Sequence, residues 1–211
     1  MVTCPLCYSN SVKNYYNSPK HIFLECAACT SVFRHPDTYL SERAEKQRYE
    51  RHCNDVNDLG YQEFVNPIVE AVQANFTTAA KGLDYGAGTG PVITKLLTEK
   101  GYELALYDPY FHPDKAVLGE TYDYIVCCEV IEHFYVPFQE FERLYQLLKP
   151  NGTLFCMTEF LPADSAQFEH WHYKNDLTHV VFYTSENLEF IQKNVGFSSL
   201  HINKRLITLT R

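Results

Sequence analysis

No stretch of the 211-residue chain approaches the ~20 consecutive apolar residues that a membrane-crossing helix needs. Met1-Val2-Thr3-Cys4 is not the start of a basic segment followed by an apolar one, so no secretory leader is expected. Positive charge is also scarce. The chain has 18 Lys/Arg against 26 Asp/Glu, a net charge of −8. The first 52 residues hold seven basic and five acidic residues, so the deficit lies entirely in the rest. Duplex nucleic acid selects clustered basic surface, so such a partner is disfavoured and a small molecule is expected instead. Internal repeats and low-complexity tracts are absent.

Cysteine is not scarce, with eight in the chain. Cys53, Cys127, Cys128 and Cys156 are scattered, partly in expected core strands, where a free thiol packs as a small hydrophobe. That usage reads as a reducing cytoplasm. The other four form two pairs, Cys4-Pro-Leu-Cys7 and Cys26-Ala-Ala-Cys29, with eighteen residues between them. Two such knuckles complete a tetrahedral four-thiolate zinc site, and the spacing is the one these sites use. Lys20 to Glu25 reads as a strand leading into the second knuckle. The arrangement resembles a zinc ribbon over residues 1–38. A closed Cys4 site leaves no coordination position for chemistry, so structural Zn2+ is expected. A module this small needs the metal in order to fold.

Residues 39–80 read as a helical connector. Ser41 suits an N-cap, and the mixed charges after it suit an exposed helix. Asn54 to Gly60 reads as a loop. Phe64, Ile68, Val72 and Phe76 recur every four residues as one apolar helix face, which Pro67 either starts or kinks.

Three of the nine glycines, Gly86, Gly88 and Gly90, stand between the apolar run Leu83-Asp84-Tyr85 and a helix expected over Pro91 to Lys100. A second apolar run ends at Asp108. Strand, glycine turn, helix and strand make the βαβ unit of an α/β fold, which binds ligands beyond the carboxyl ends of its strands. A dinucleotide site asks for glycine where Pro91 stands, so this is not the pyrophosphate version. Asp84 would repel a diphosphate and suits an ammonium group. Asp108 can accept two ribose hydroxyls. Ribose at one end and a charged amino acid at the other describe S-adenosylmethionine. Asp84, Gly86, Ala87, Gly88 and Gly90 are expected at its methionine end, Asp108 with Pro109 at the ribose, and Tyr110 or Phe111 on the adenine.

This pattern resembles motif I and the ribose-binding acid of class I methyltransferases. The resemblance implies a Rossmann-like, mostly parallel sheet with an antiparallel final strand over residues 81–211. In that family, helices ahead of the first strand often cover the cofactor. Tyr49, His52 and Tyr61 are therefore lid candidates, unless the segment is a plain connector. Class I enzymes usually place a third strand and its helix after the ribose acid. Here only Pro109 to Thr121 precedes the strand Tyr122 to Cys128, so a shortened sheet edge is expected. A helix Pro137–Leu148, a turn over Lys149–Gly152, a strand from Thr153 to Thr158, a helix Ser185–Asn194 and a final hairpin follow.

Two further segments carry chemistry. If Glu129-Val-Ile-Glu132-His133 opens a helix, its acids and imidazole share one face and suit a divalent metal. The stretch resembles the Glu-x-x-Glu-His motif of metal-dependent methyltransferases acting on RNA 3′ ends and on quinone precursors. In relatives without a known metal, the first acid lies near the methionine end of the cofactor, which adds Glu129 to the cofactor set. His133 also suits a general base. The second segment runs from Glu169 to His179. His172 and His179 are base candidates, and His170, Trp171, Tyr173 and Asp176 are candidates for an acceptor wall. Packing roles for His172, His179 and Trp171 stand beside these.

The whole chain resembles a group of small bacterial proteins that share the Cys pairs, Arg-Tyr-x-x-His, Gly-Leu-Asp-Tyr-Gly-x-Gly-x-Gly-Pro, Glu-Val-x-Glu-His-Phe and Trp-x-Tyr-x-x-Asp-x-Thr-His-Val. The expected function is methyl transfer from S-adenosylmethionine to a hydroxyl or ring nucleophile of a small molecule. The alternatives are a catalytically silent S-adenosylmethionine-binding or regulatory module, and a metal-dependent O-methyltransferase using Glu129, Glu132 and His133.

Overall fold

A computed structural model describes residues 2–51 and 55–211, with only the backbone of Ser165. The expectations for His52 and Cys53 lie outside the described residues. Among these residues no helix is long and apolar enough to cross a membrane.

Ten strands among the described residues form two sheets. The larger runs β5(Glu103–Tyr107)-β4(Lys81–Tyr85)-β6(Tyr122–Cys128)-β7(Leu148–Met157)-β10(Leu206–Thr210)-β9(Ser199–Asn203). β5, β4, β6 and β7 are parallel, whereas β10 runs against both of its neighbours. This is the doubly wound order with a reversed penultimate strand. β5 is the edge. Beyond it, an isolated bridge between Asp108 and His112 and a 3₁₀ turn Lys115–Gly119 occupy the place of a third strand and its helix. The short sequence after Asp108 has no residues left for more.

Helix α2 (Leu59–Asn75) packs Val65, Ile68, Val69 and Val72 inward against α3 (Val92–Thr98) and continues through Pro67. It starts earlier than the expected loop allowed, because Asp58 caps the amides of Gly60 and Tyr61. α4 (Pro137–Leu147) buries Phe141, Leu144 and Leu147 on the other face of the sheet. The turn expected at Lys149–Gly152 is an excursion inside β7. Leu148 pairs with Tyr122 and Thr153 with Tyr124, and Asn151 adopts a φ of 65°. α5 (Ser165–His170) was not legible as a helix. α6 (Ser185–Ile191) carries a capping box from Thr184 and Asn187.

The amino-terminal module is a sheet β1(Val12–Asn17)-β2(Ile22–Cys26)-β3(Val32–Arg34). Its two knuckles are built alike. Tyr8 and Thr30, each following the second cysteine of its pair, are left-handed (φ 59° and 57°). Each donates its amide to the first cysteine's carbonyl, at 3.0 and 2.9 Å. The sheet does not end within the module. Its fourth strand is β8 (Val181–Phe182), which pairs with β3 across the expected boundary at residue 38. Cys4, Leu6 and Phe33 share one apolar core with Leu83, Phe141 and Tyr183.

Candidate active site

The carboxyl ends of β4, β5 and β6 open into a cleft of about 670 Å³. One end is the glycine turn. Gly86 and Gly88 adopt φ of 83° and 62°, and a Cβ on Gly86 would meet Val130 at 2.5 Å. Only glycine fits there. Gly86 and Ala87 donate their amides to Tyr107 O, which folds the turn over the end of β5. Asp108 Oδ2 accepts the Gly88 amide at 3.0 Å, and Oδ1 accepts those of Tyr110 and Phe111 at 2.8 and 3.0 Å. Three backbone donors thus orient the carboxylate while it still lines the cleft. Ala87, Pro109, Tyr110, Phe111 and Glu129 line it as well. Asp84 and Gly90 do not. The Asp84 carboxyl lies beneath the turn on the Thr94 hydroxyl at 2.7 Å, and burial pushes it up to about 6.

The other end is built by three segments that converge. α1 (Glu42–Tyr49) brings Glu45 and Tyr49, the turn after β6 brings His133 and Tyr135, and the loop before β8 brings Asp176 and His179. The expected helix at Glu129 is absent. Glu129 is left-handed (φ 53°), and a 3₁₀ turn spans Ile131–His133. Glu129 and Glu132 therefore converge on the Tyr173 hydroxyl, while His133 turns away from Glu129 toward Thr178 and Tyr49. Arg205 holds Glu129 at 2.8 Å, and the Thr158 hydroxyl holds Glu132 at 3.1 Å. Burial pushes both carboxyls up, and the charge of Glu132 adds to the shift at Glu129.

The tautomers of the two histidines follow from their partners. The Thr178 carbonyl, 2.9 Å from His133 Nδ1, can only accept, so that nitrogen carries the proton and Nε2 is bare. Tyr49 Oη shares this proton at 3.0 Å while its own hydroxyl donates to Glu45 Oε1 at 2.9 Å. His179 Nδ1 faces the Tyr173 carbonyl at 2.8 Å, with the same consequence. Burial lowers both imidazoles, His179 to about 3, so both are neutral at neutral pH. A donor atom from each of Glu132, His133 and His179 lies within 4.8 Å of the other two.

The low His179 value gives stability a pH dependence. Between about pH 6.5 and 3 the unfolded chain binds a proton at this residue that the folded chain refuses, so this contribution rises with pH across that window. In His179→Asn, whose amide can still donate to Tyr173 O, stability measured by denaturant titration should rise less steeply from pH 3 to 6.5. An unaltered slope would show that the imidazole is not held neutral.

The expected acceptor wall is reassigned in part. His170 is exposed, and the His172 side chain is 80% exposed beside Glu159. Trp171 is buried against Phe168 and Phe182 and donates to Glu159 at 2.6 Å. None of these three lines the cleft. Tyr173 is buried and reaches the site through the two glutamates and through His179, whose ring centroid lies 4.0 Å from its own. From this segment, Asp176 and His179 face the cleft. Tyr49 and Tyr61 line it too, as lid residues would. Sequence reading missed Glu45, which is buried in a helix that looks solvated. The one usable signal was Tyr49, four residues on, the sole aromatic of that helix and thus the marker of its inward face.

Glycine turn, ribose-type acid and an antiparallel final strand inserted between β7 and β9 together define a Rossmann-like methyltransferase architecture, shortened here at its third-strand edge. A family profile described as a methyltransferase domain matches residues 45–202. The chain belongs to that family. A ubiquinone biosynthesis O-methyltransferase of Histophilus somni is 26% identical over 114 residues, covering 41% of this chain and 48% of that protein. The chain thus spans about half the length of the curated relative it matches. Among solved structures, an O-methyltransferase family protein from Burkholderia thailandensis has a TM-score of 0.55 at 16% identity, covering 79% of this chain and 61% of that one. The 1,6-didemethyltoxoflavin-N1-methyltransferase of the same organism, solved with its acceptor and S-adenosylhomocysteine bound, has a TM-score of 0.55 at 15% identity, covering 94% and 99%. At these identities the two structures speak to the fold alone.

Proposed function

We propose that the chain is an S-adenosylmethionine-dependent methyltransferase acting on a hydroxyl or ring nucleophile of a small molecule. One observation carries this reading: a single cleft has the glycine turn and Asp108 at one end and two histidines with bare Nε2 atoms at the other. S-adenosylmethionine supplies an electrophilic methyl group on a positively charged sulfur. Gly86 to Gly88 and Asp108 hold the donor, and Tyr110 or Phe111 covers its adenine. Tyr49 and the surrounding aromatic residues exclude water and align the acceptor. With the donor bound, His133 Nε2 would take the proton that the acceptor releases on receiving the methyl group, whose old bonding pair stays with the leaving sulfur. Thr178 O and Tyr49 Oη steady the imidazolium through Nδ1–H.

Charge in the cleft supports an acceptor that is not anionic. Glu45, Asp108, Glu129, Glu140 and Asp176 line it, and Arg143, held by Glu140, is its only Arg or Lys among the described residues. Arg48 and Arg205, just behind, are held by Asp176 and Glu129. This agrees with a small-molecule partner rather than nucleic acid. The four thiols of Cys4, Cys7, Cys26 and Cys29, within 4.8 Å of one another, suit a structural zinc. The unbridged thiols of Cys127, Cys128 and Cys156 fit a reducing cytoplasm.

Calorimetry should give micromolar binding of both S-adenosylmethionine and S-adenosylhomocysteine, weakened about tenfold or more in Asp108→Asn, a loss of ~1.4 kcal/mol. No binding of either would sink the proposal, and binding without turnover on any metabolite fraction would favour a silent binding module. A second reading rests on Glu132, His133 and His179, whose donors suit a divalent metal and whose Nδ1–H groups are anchored on carbonyls as metal-bound histidines are. His179 takes the place expected of Glu129, which Arg205 engages. Base and ligand are exclusive uses of one lone pair on His133.

A further inference from the structure

Arg34 ends β3 and is fully buried. Buried cations are usually paired with acids. Among the described residues, this one spends its donors elsewhere. Nε donates to His179 O at 3.1 Å, and Nη2 to Lys174 O and Asp176 O at 3.1 and 2.9 Å. Nη1 meets His21 Nδ1 at 3.2 Å, and the guanidinium lies over the Phe23 ring at 4.7 Å. Burial lowers its pKa to about 10, which leaves it charged at neutral pH.

The three carbonyls belong to one loop, residues 174–179. That loop turns Asp176 and His179 into the cleft and sets Thr178 O on His133. Its carbonyls converge and cannot satisfy one another, and the rigid fork of an Arg matches such a set where a Lys would not. The guanidinium is itself fixed, because the Arg34 amide donates to Val180 O at 2.8 Å and β3 pairs with β8. The knuckle module therefore reaches the cleft through one side chain.

We propose that Arg34 is the positioning residue of the acceptor-side loop, and that the amino-terminal module serves the active site by holding it. This rests on the methyltransferase reading for what the loop positions, but its test needs no turnover. Trp171, the only tryptophan, is buried just ahead of the loop and reports on it by fluorescence. The ¹⁵N shifts of the His179 ring report the Nδ1–H tautomer directly.

Arg34→Met and Arg34→Lys are compared with wild type in the full, metal-loaded chain. Arg34→Met should keep its zinc and bind S-adenosylhomocysteine within about twofold of wild type, since the donor end is remote. Its Trp171 emission should shift to the red, and the His179 ring should lose its single tautomer. A merely structural residue would not separate these effects. Unchanged Trp171 and His179 signals in Arg34→Met would overturn the proposal. If Arg34→Met loses zinc and ligand binding together, Arg34→Lys decides. Loss of the His179 tautomer with ligand binding kept supports the proposal, and any other result overturns it. Absence of S-adenosylhomocysteine binding in wild type would sink the methyltransferase reading while leaving the loop signals readable.

Discussion

Cys26→Ala should lose its metal together with most of the stability of the chain, a loss on the order of 5 kcal/mol or more. Domains of this kind hold only ~5–15 kcal/mol in total. Cys26 lies at the end of β2, facing Cys7 Sγ at 3.5 Å, and is itself buried. Its loss opens the four-thiolate set and with it the turn that delivers β3. The damage does not stop there, because Cys4, Leu6 and Phe33 share a core with Leu83 and Tyr183. Thermal unfolding in a reducing buffer, with zinc counted per chain, checks this. Wild type should unfold far earlier after strong chelation, and Cys26→Ala should not respond to the chelator. A wild-type melting temperature that ignores metal removal would remove the structural zinc from the account.

His133→Asn should lower turnover by ~10²–10⁴-fold, the usual contribution of a general base. S-adenosylhomocysteine binding should be kept, because the side chain lies at the acceptor end of the cleft. The asparagine amide stands where Nδ1 stood and can still donate to Thr178 O, so the loop stays tied while the bare Nε2 is gone. Glu132→Gln separates the two uses of that nitrogen. With His133 as a base, Glu132→Gln keeps much of the activity, and dialysis against chelator has no effect at the cleft. With a divalent ion there, Glu132→Gln and chelation each abolish turnover while the Cys4 zinc remains. A His133→Asn enzyme of full activity would end both readings.

The parts legible in the sequence are those whose chemistry is local. Gly86 and Gly88 announce a backbone that only glycine adopts, Asp108 ends an apolar run, and two Cys-x-x-Cys pairs need nothing beyond their spacing. The shortage of residues between Asp108 and Tyr122 was enough to foresee the missing strand. Misreadings arose where a distant partner decides. Periodicity at Glu129 to His133 suggests one helix face, but the left-handed Glu129 and the pull of Thr178 on His133 split Glu129 from the imidazole and leave Glu132 beside it. Trp171 reads as a binding aromatic because nothing nearby says that Phe23 and Phe182 enclose it. Arg34 is invisible for the same reason, as its partners lie up to 145 positions along the chain.

That β8 completes the first sheet bears on the order in which the chain folds. The cysteine knuckles are made before β8 and can capture a metal at once, since the four thiols span only Cys4 to Cys29. The edge of β3 must then wait, unpaired, until residues 181–182 have been made. Closing so long a loop is entropically costly and slow. During that wait Val32 and Phe33 present an open apolar edge of the kind that recruits other chains. Seating Arg34 on its loop waits for that pairing, so the acceptor end of the cleft is completed only when β8 docks on β3.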